Sequence, residues 1–137
     1  MAAFTKFYQF VQDLGDGVHD LNVDTIAIYL SDSAPNVSTN KVKANVPEIA
    51  TGNGYAGPIN IHNAYSQTGG VGTMTGDASE TITASGGSIA TFRYIVLYNS
   101  SKAGGPLIAY WDYGSEVTLA SGNTFTVNFD PAILTIQ

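Results

Sequence analysis

The stretch FRYIVLYNSSKAGGPLIAYWDYG, Phe92 to Gly114, sets two apolar runs on either side of a loop of small residues, and each run carries one charge, Arg93 or Asp112. Successive side chains of a strand point to opposite faces of its sheet, so a strand with one wet face alternates apolar and polar residues. These runs do not alternate. Phe92, Tyr94, Val96 and Tyr98 are expected on one face and Arg93, Ile95 and Leu97 on the other, so both faces need cover. If Tyr98 pairs with Leu107 across a hairpin, Tyr94 falls opposite Trp111, Ile95 opposite Tyr110, and Arg93 opposite Asp112. On that register the two lone charges form a structural salt bridge that penalises a one-residue slip. The other role open to Arg93 is a contact with a second subunit, because arginine is enriched in interface cores.

Outward from this hairpin the chain is punctuated every eight to twelve residues. Upstream, DTIAIYLS alternates Ile26, Ile28 and Leu30 with Thr25, Ala27 and Tyr29 and reads as a strand. NVSTNKVKANV reads as an ordered loop and EIATGNGYAGP as a glycine-rich connection. PINIHNAYS reads as a strand with Ile59 and Ile61 on one face, and VGTMTG with SETITAS as a hairpin. Downstream, TFTVNFD and AILTIQ add two more strands. Numerous short strands with turns at this spacing predict an all-β fold, a single-domain antiparallel β-sandwich, jelly-roll-like or immunoglobulin-like. Only the N-terminus departs from the two-residue period. Phe4, Phe7, Phe10 or Val11, and Leu14 recur at helical spacing, which predicts a short helix near residues 5–14 with Thr5 as N-cap and Gly15 or Gly17 as its stop. The whole of 1–137 is expected to be one domain, with 1–17 as helix or arm and 24–137 as sandwich.

A chain of 137 residues is long enough to bury about two-thirds of its unfolded surface without a disulfide or metal staple. It contains no cysteine, which removes disulfides, thiolate metal sites and a thiol nucleophile. The N-terminus has no signal-peptide pattern, and no apolar run approaches the roughly 20 residues that span a bilayer. Five Lys and Arg against eleven Asp and Glu give a net charge of −6, which argues against nucleic acid and anionic membrane as partners.

Residues able to do chemistry are scattered. His19 and His62 lie in different elements, with no second histidine or carboxylate at ligand spacing. DLGDGVHD lacks the alternating acidic positions and closing glutamate of a calcium loop. TGNGYAG and TASGG do not follow the strand-to-helix pattern that cradles phosphate. The sequence therefore implies no catalytic residue, metal or cofactor, and a non-enzymatic role. Eight Tyr, six Phe and Trp111 exceed what one small core needs to hide, and tyrosine is favoured where one side is apolar and the other wet. That richness points to an interaction protein. A carbohydrate-binding module would use the same residues as stacking platforms.

In order along the chain, FTKFYQFVQDLGDGVHDLNVDTIAIYLSDSAP, EIATGNGYAG and TASGGSIATFRYIVLYNSSKAGGPLIAYWDYG through TIQ resemble a family of small structural proteins of tailed bacteriophages. The resemblance implies a capsid decoration, or cement, protein on the outer surface of the phage head, bound to the major capsid protein and made in the host cytoplasm. A tail or neck component that holds host glycans on exposed aromatics is the alternative. Phe4, Phe7, Tyr8, Phe10, Tyr55, Tyr65, Ile95, Leu97 and Tyr110 are the expected subunit or capsid contacts. A homo-oligomer, dimer or trimer, is expected, and on the second face of the Phe92–Tyr113 hairpin Ile95, Leu97, Ile108 and Tyr110 are expected to be covered by a second layer or by a neighbouring subunit.

Overall fold

The computed structural model describes residues 4–129 and 132–137. It is an all-β domain with one short helix. The strands are β1 (Phe4–Lys6), β2 (Ile26–Ser31), β3 (Ile59–Asn60), β4 (Ala64–Thr68), β5 (Val71–Thr75), β6 (Ser79–Thr83), β7 (Phe92–Asn99), β8 (Leu107–Val117), β9 (Thr124–Asn128) and β10 (Leu134–Ile136); the helix α1 is Tyr8–Gly15. A five-stranded sheet in the order β1-β8-β7-β2-β3 forms one layer. The facing layer is split into a three-stranded sheet, β10-β5-β4, and a two-stranded ribbon, β6-β9.

Strand β7 is central, and the chain itself covers both of its faces. Ile95 and Leu97 join Ile26, Ile28 and Leu30 of β2, Met74 of β5, Ile82 of β6 and Val127 of β9 in the main core between the layers. Val96 and Tyr98 turn the other way into a second cluster with Ala27, Tyr29, Phe7, Val46 and Leu107, flanked by Val37. Of the two covers expected, a second layer or a neighbouring subunit, the chain's own packing supplies one for each face. Phe7 and the loop through Val37 and Val46 close the face that bears Val96 and Tyr98. A hydrogen-bond network holds this loop down: the Tyr29 hydroxyl donates to the Val46 carbonyl at 2.7 Å, and Lys43 Nζ pairs with Glu48 at 2.7 Å while lying 4.8 Å from the Tyr29 ring centre.

The hairpin register departs from simple counting. Tyr98 pairs with Leu107, but Leu97 pairs with Ala109, so Ile108 is an extra residue in a bulge. Beyond it every partner moves by one: Ile95 faces Trp111, Val96 faces Tyr110, and Tyr94, not Arg93, faces Asp112. The bulge has a packing reason. It sends Leu107 into the second cluster while Ile108 and Ala109, neighbours in sequence, both enter the main core. A second irregularity between Phe92 and Tyr94 turns Phe92 into the main core with Ile95, away from the face it shares with Tyr94 on paper.

Other expectations are corrected locally. Thr5 does not cap the helix, because Phe4–Lys6 is extended and pairs with β8, placing Thr5 opposite Tyr110; the N-cap is Phe7. The helix ends at Gly15, with Asp16 as C-cap and Gly17 in the left-handed region. PINIHNAYS is not one strand. His62, at φ 52°, breaks it into β3, which pairs with β2, and β4, which forms a hairpin with β5. The expected hairpin of VGTMTG with SETITAS does not form, since β6 pairs with β9 some 45 residues later and β5 takes β4 and β10 as neighbours. Within FDPAILTIQ, residues 130 and 131 lie outside the described residues, as do 1–3 of the N-terminal arm.

Candidate interaction surface

The two glycine-rich motifs are structural and meet each other. Tight turns through Gly52 and Tyr55 bring Asn53 against Gly87 of the TASGG segment, where Asn53 Nδ2 donates to the Ser88 carbonyl and the Ser85 N–H donates to the Asn53 carbonyl. Gly54 has φ 105°, and a Cβ there would fall on the Thr83 carbonyl oxygen. The turn delivers Tyr55 inward. Its hydroxyl donates to Glu48 and accepts from the Leu30 N–H at 3.1 Å, and burial pushes its ionisation well above the ordinary tyrosine value. Tyr55 is therefore a core pin.

The same test separates the other expected contacts. Phe7, Phe10, Ile95 and Leu97 are buried with Tyr55, so none of the five is available to a partner in the folded chain. Hydrophobicity marked them, but their own sheet and helix consume it. Tyr65 and Tyr110 are half-buried: Tyr65 lies across Gly72 and packs on the main core, while Tyr110 sits between Phe7 and Tyr94. Phe4 and Tyr8 are exposed, at 36% and 63%, and Val11 at 54% extends the patch along α1. Sequence reading passed over Val11 as a choice of core position. Because Phe10 takes the inward place, Val11 is rotated outward, one turn along from Tyr8.

Beside this patch lies an open groove of about 690 Å³, lined by Phe4, Lys6 and Tyr8 on one side and Ile133, Leu134 and Thr135 on the other. Its walls are β1 and β10, each the last strand of its sheet. Phe4 stacks edge-on against Trp111 at 5.5 Å, so the groove floor continues into the main core.

Arg93 and Asp112 form a bidentate pair, Nε to Oδ1 at 2.8 Å and Nη2 to Oδ2 at 3.1 Å, on a partly exposed part of the hairpin. The hydrogen bond from Arg93 lowers the Asp112 pKa, and the bond from Gly114 N–H lowers it further.

Both histidines have partners that the linear spacing hides. Asn99 Nδ2 donates to Asp24 at 2.8 Å and reaches His19 Nδ1 at 3.1 Å, while its Oδ1 accepts from the Ser101 N–H. Asn99 is thus oriented, His19 Nδ1 accepts, and the neutral ring carries its proton on Nε2. Nε2 has no hydrogen-bond partner among the described residues, Asp13 Oδ2 lying 4.0 Å away. Desolvation by burial lowers the His19 pKa. On the surface, His62 Nδ1 contacts Asp77 at 2.6 Å, and the ligand atoms of His62, Asp77 and Glu80 lie within 4.8 Å of one another. Such a nitrogen–oxygen–oxygen set is chemically able to hold a divalent cation, although the His62–Asp77 pair by itself accounts for the contact.

No protein-family model, curated protein or solved structure matches this chain. What the geometry defines is a small all-β domain of two facing layers that exposes Phe4, Tyr8 and Val11 together at one corner, with Val23 and Tyr113 exposed as well.

Proposed function

We propose that the chain is a non-enzymatic virion structural protein, a capsid decoration protein that binds the outer surface of a phage head and stabilises contacts between major capsid protein subunits. The observation that carries this reading is the corner formed by Phe4, Tyr8 and Val11 beside the β1–β10 groove. These are three of the five large apolar side chains left exposed among the described residues. Exposed apolar side chains that cluster, as these three do, mark a surface for another surface to cover, whereas single ones such as Val23 need no partner. The resemblance of the motif order to small tailed-phage structural proteins implies a virion surface, and the head is the one proposed. Repetition around a shell then makes individually weak contacts additive.

The test is electron microscopy of particles with and without the protein, together with Tyr8→Ser and Val11→Ser. Both positions project from the helix into solvent, so the double variant keeps its fold. Density on the head that disappears with the double variant supports the reading. Density confined to tail or neck, or heads equally heat-stable without the protein, overturns it.

A further inference from the structure

We propose that the groove between β1 and β10 takes an extended, acidic segment of a partner protein as an added strand on the free edge of β1. The backbone supplies the first argument. Among the described residues β1 has β8 on one side only, and the Phe7 N–H donates to the Ile108 carbonyl in the same register that pairs Thr5 with Tyr110, while the Tyr8 N–H beyond the strand donates to the Val37 carbonyl. In an antiparallel ladder, hydrogen-bonded pairs alternate with non-bonded ones. Thr5 therefore bonds inward to β8, and the N–H and C=O groups of Phe4 and Lys6 point outward. An edge of this kind is a template for another strand unless something blunts it.

The surroundings specify what that strand carries. Phe4 shares the Trp111 side of the sheet, and across the groove stand Ile133 and Leu134, so one set of alternate side chains on the incoming strand meets apolar surface. Among the described residues lining the groove, Lys6 is the one charged side chain, so the matching residue on the guest is a carboxylate. A net charge of −6 weighs against a second copy as guest. On a short segment, a single carboxylate feels Lys6 ahead of charges beyond a Debye length of about 8–10 Å. The inference rests on the interaction-protein reading above but not on the identity of the particle.

The experiment uses the full chain and a synthetic nonapeptide of alternating valine and threonine with one central glutamate. Amide exchange followed by NMR is expected to slow about tenfold at Phe4 and Lys6 when the peptide is added, with a proline-substituted peptide inert. Lys6→Glu is expected to weaken the glutamate peptide by about tenfold and to favour its lysine counterpart. Unchanged exchange at Phe4 and Lys6, indifference to Lys6→Glu, or protection of both amides in the free monomer overturns the proposal. So does a concentration-dependent dimer that protects them, which would make a second copy the guest. Particle binding retained by Lys6→Glu alongside a negative peptide result overturns the groove and leaves the capsid reading standing. Peptide binding without particle association does the reverse.

Discussion

Arg93 reaches Asp112 through two hydrogen bonds although the residue directly opposite Asp112 is Tyr94. The pair is diagonal, made possible because the irregularity between Phe92 and Tyr94 leaves Arg93 outside the ladder and free to lean along the strand. Its guanidinium lies 5.5 Å from the Tyr94 ring centre, which helps hold that lean. Asp112→Arg is expected to lower the urea midpoint, and the exchange Arg93→Asp with Asp112→Arg to recover part of the loss. Since both side chains are partly exposed, the effect will be smaller than that of core changes; additive losses in the double variant would show that the pair is not coupled. Asp112 has a lowered folded pKa, so its contribution is complete above the ordinary carboxylate value. It is lost as pH falls through the lowered one.

Tyr55→Phe keeps the ring but removes the oxygen that accepts from the buried Leu30 N–H. An orphaned buried donor costs about 1–3 kcal/mol. Urea unfolding is expected to show a lower midpoint at unchanged slope. An unaltered midpoint would mean that the hydroxyl is not needed to satisfy Leu30.

Gly54→Ala and Gly15→Ala form a contrasting pair. At Gly54 the left-handed backbone and the Thr83 carbonyl both oppose a side chain, and a loss of at least about 1–3 kcal/mol is expected. At Gly15, in the last turn of α1, no atom lies within 4 Å of an added Cβ, and alanine is expected to be neutral or to stabilise by up to about 1 kcal/mol. Thermal unfolding of the two variants side by side checks the ordering.

His19 makes stability depend on acid. Burial lowers its folded pKa below the ordinary 6.5, so the unfolded chain binds the proton more readily. Stability is therefore complete above 6.5 and falls as pH drops from there toward the lowered value. His62 runs oppositely: its hydrogen bond to Asp77 raises the pKa, and its contribution is present below 6.5 and lost as pH rises through the raised value. His62 is exposed, so the His19 trend is expected to dominate the melting temperature between about pH 5 and 7. His62→Gln should leave that trend in place and His19→Gln should flatten it; the reverse would show that His19 is not the controlling group.

Much of the architecture was legible from the linear pattern. The doubly apolar runs of Phe92–Asn99 and Leu107–Asp112 announced a central hairpin with both faces covered. Ile26, Ile28 and Leu30 announced its neighbour, and the stripe from Phe4 to Leu14 announced a helix, of which Phe10 and Leu14 lie in α1 while Phe4 and Phe7 precede it. Errors arose where one residue's environment decided the outcome. The bulge at Ile108 shifted the register, the positive φ of His62 split a strand, and pairing of Phe4–Lys6 with β8 moved the helix start to Tyr8. The candidate contacts fared unevenly because apolar character says that a side chain seeks cover, not whether the cover is internal.

Sequence by itself determined the class of this protein: strands from two-residue periodicity and turn residues, one helix from three- and four-residue spacing, and no thiol chemistry from the lack of cysteine. Those are local properties, fixed by which side of an element each residue occupies. Only the tertiary structure decided that Phe7 and Val46 cover the Val96 and Tyr98 face of the hairpin, that the Tyr55 hydroxyl meets the Leu30 N–H, and that, among the described residues, β1 and β10 end as open edges around one groove. Each of these joins segments distant in sequence, and which distant segments meet is set by the packing of the whole chain rather than by any pattern within one of them.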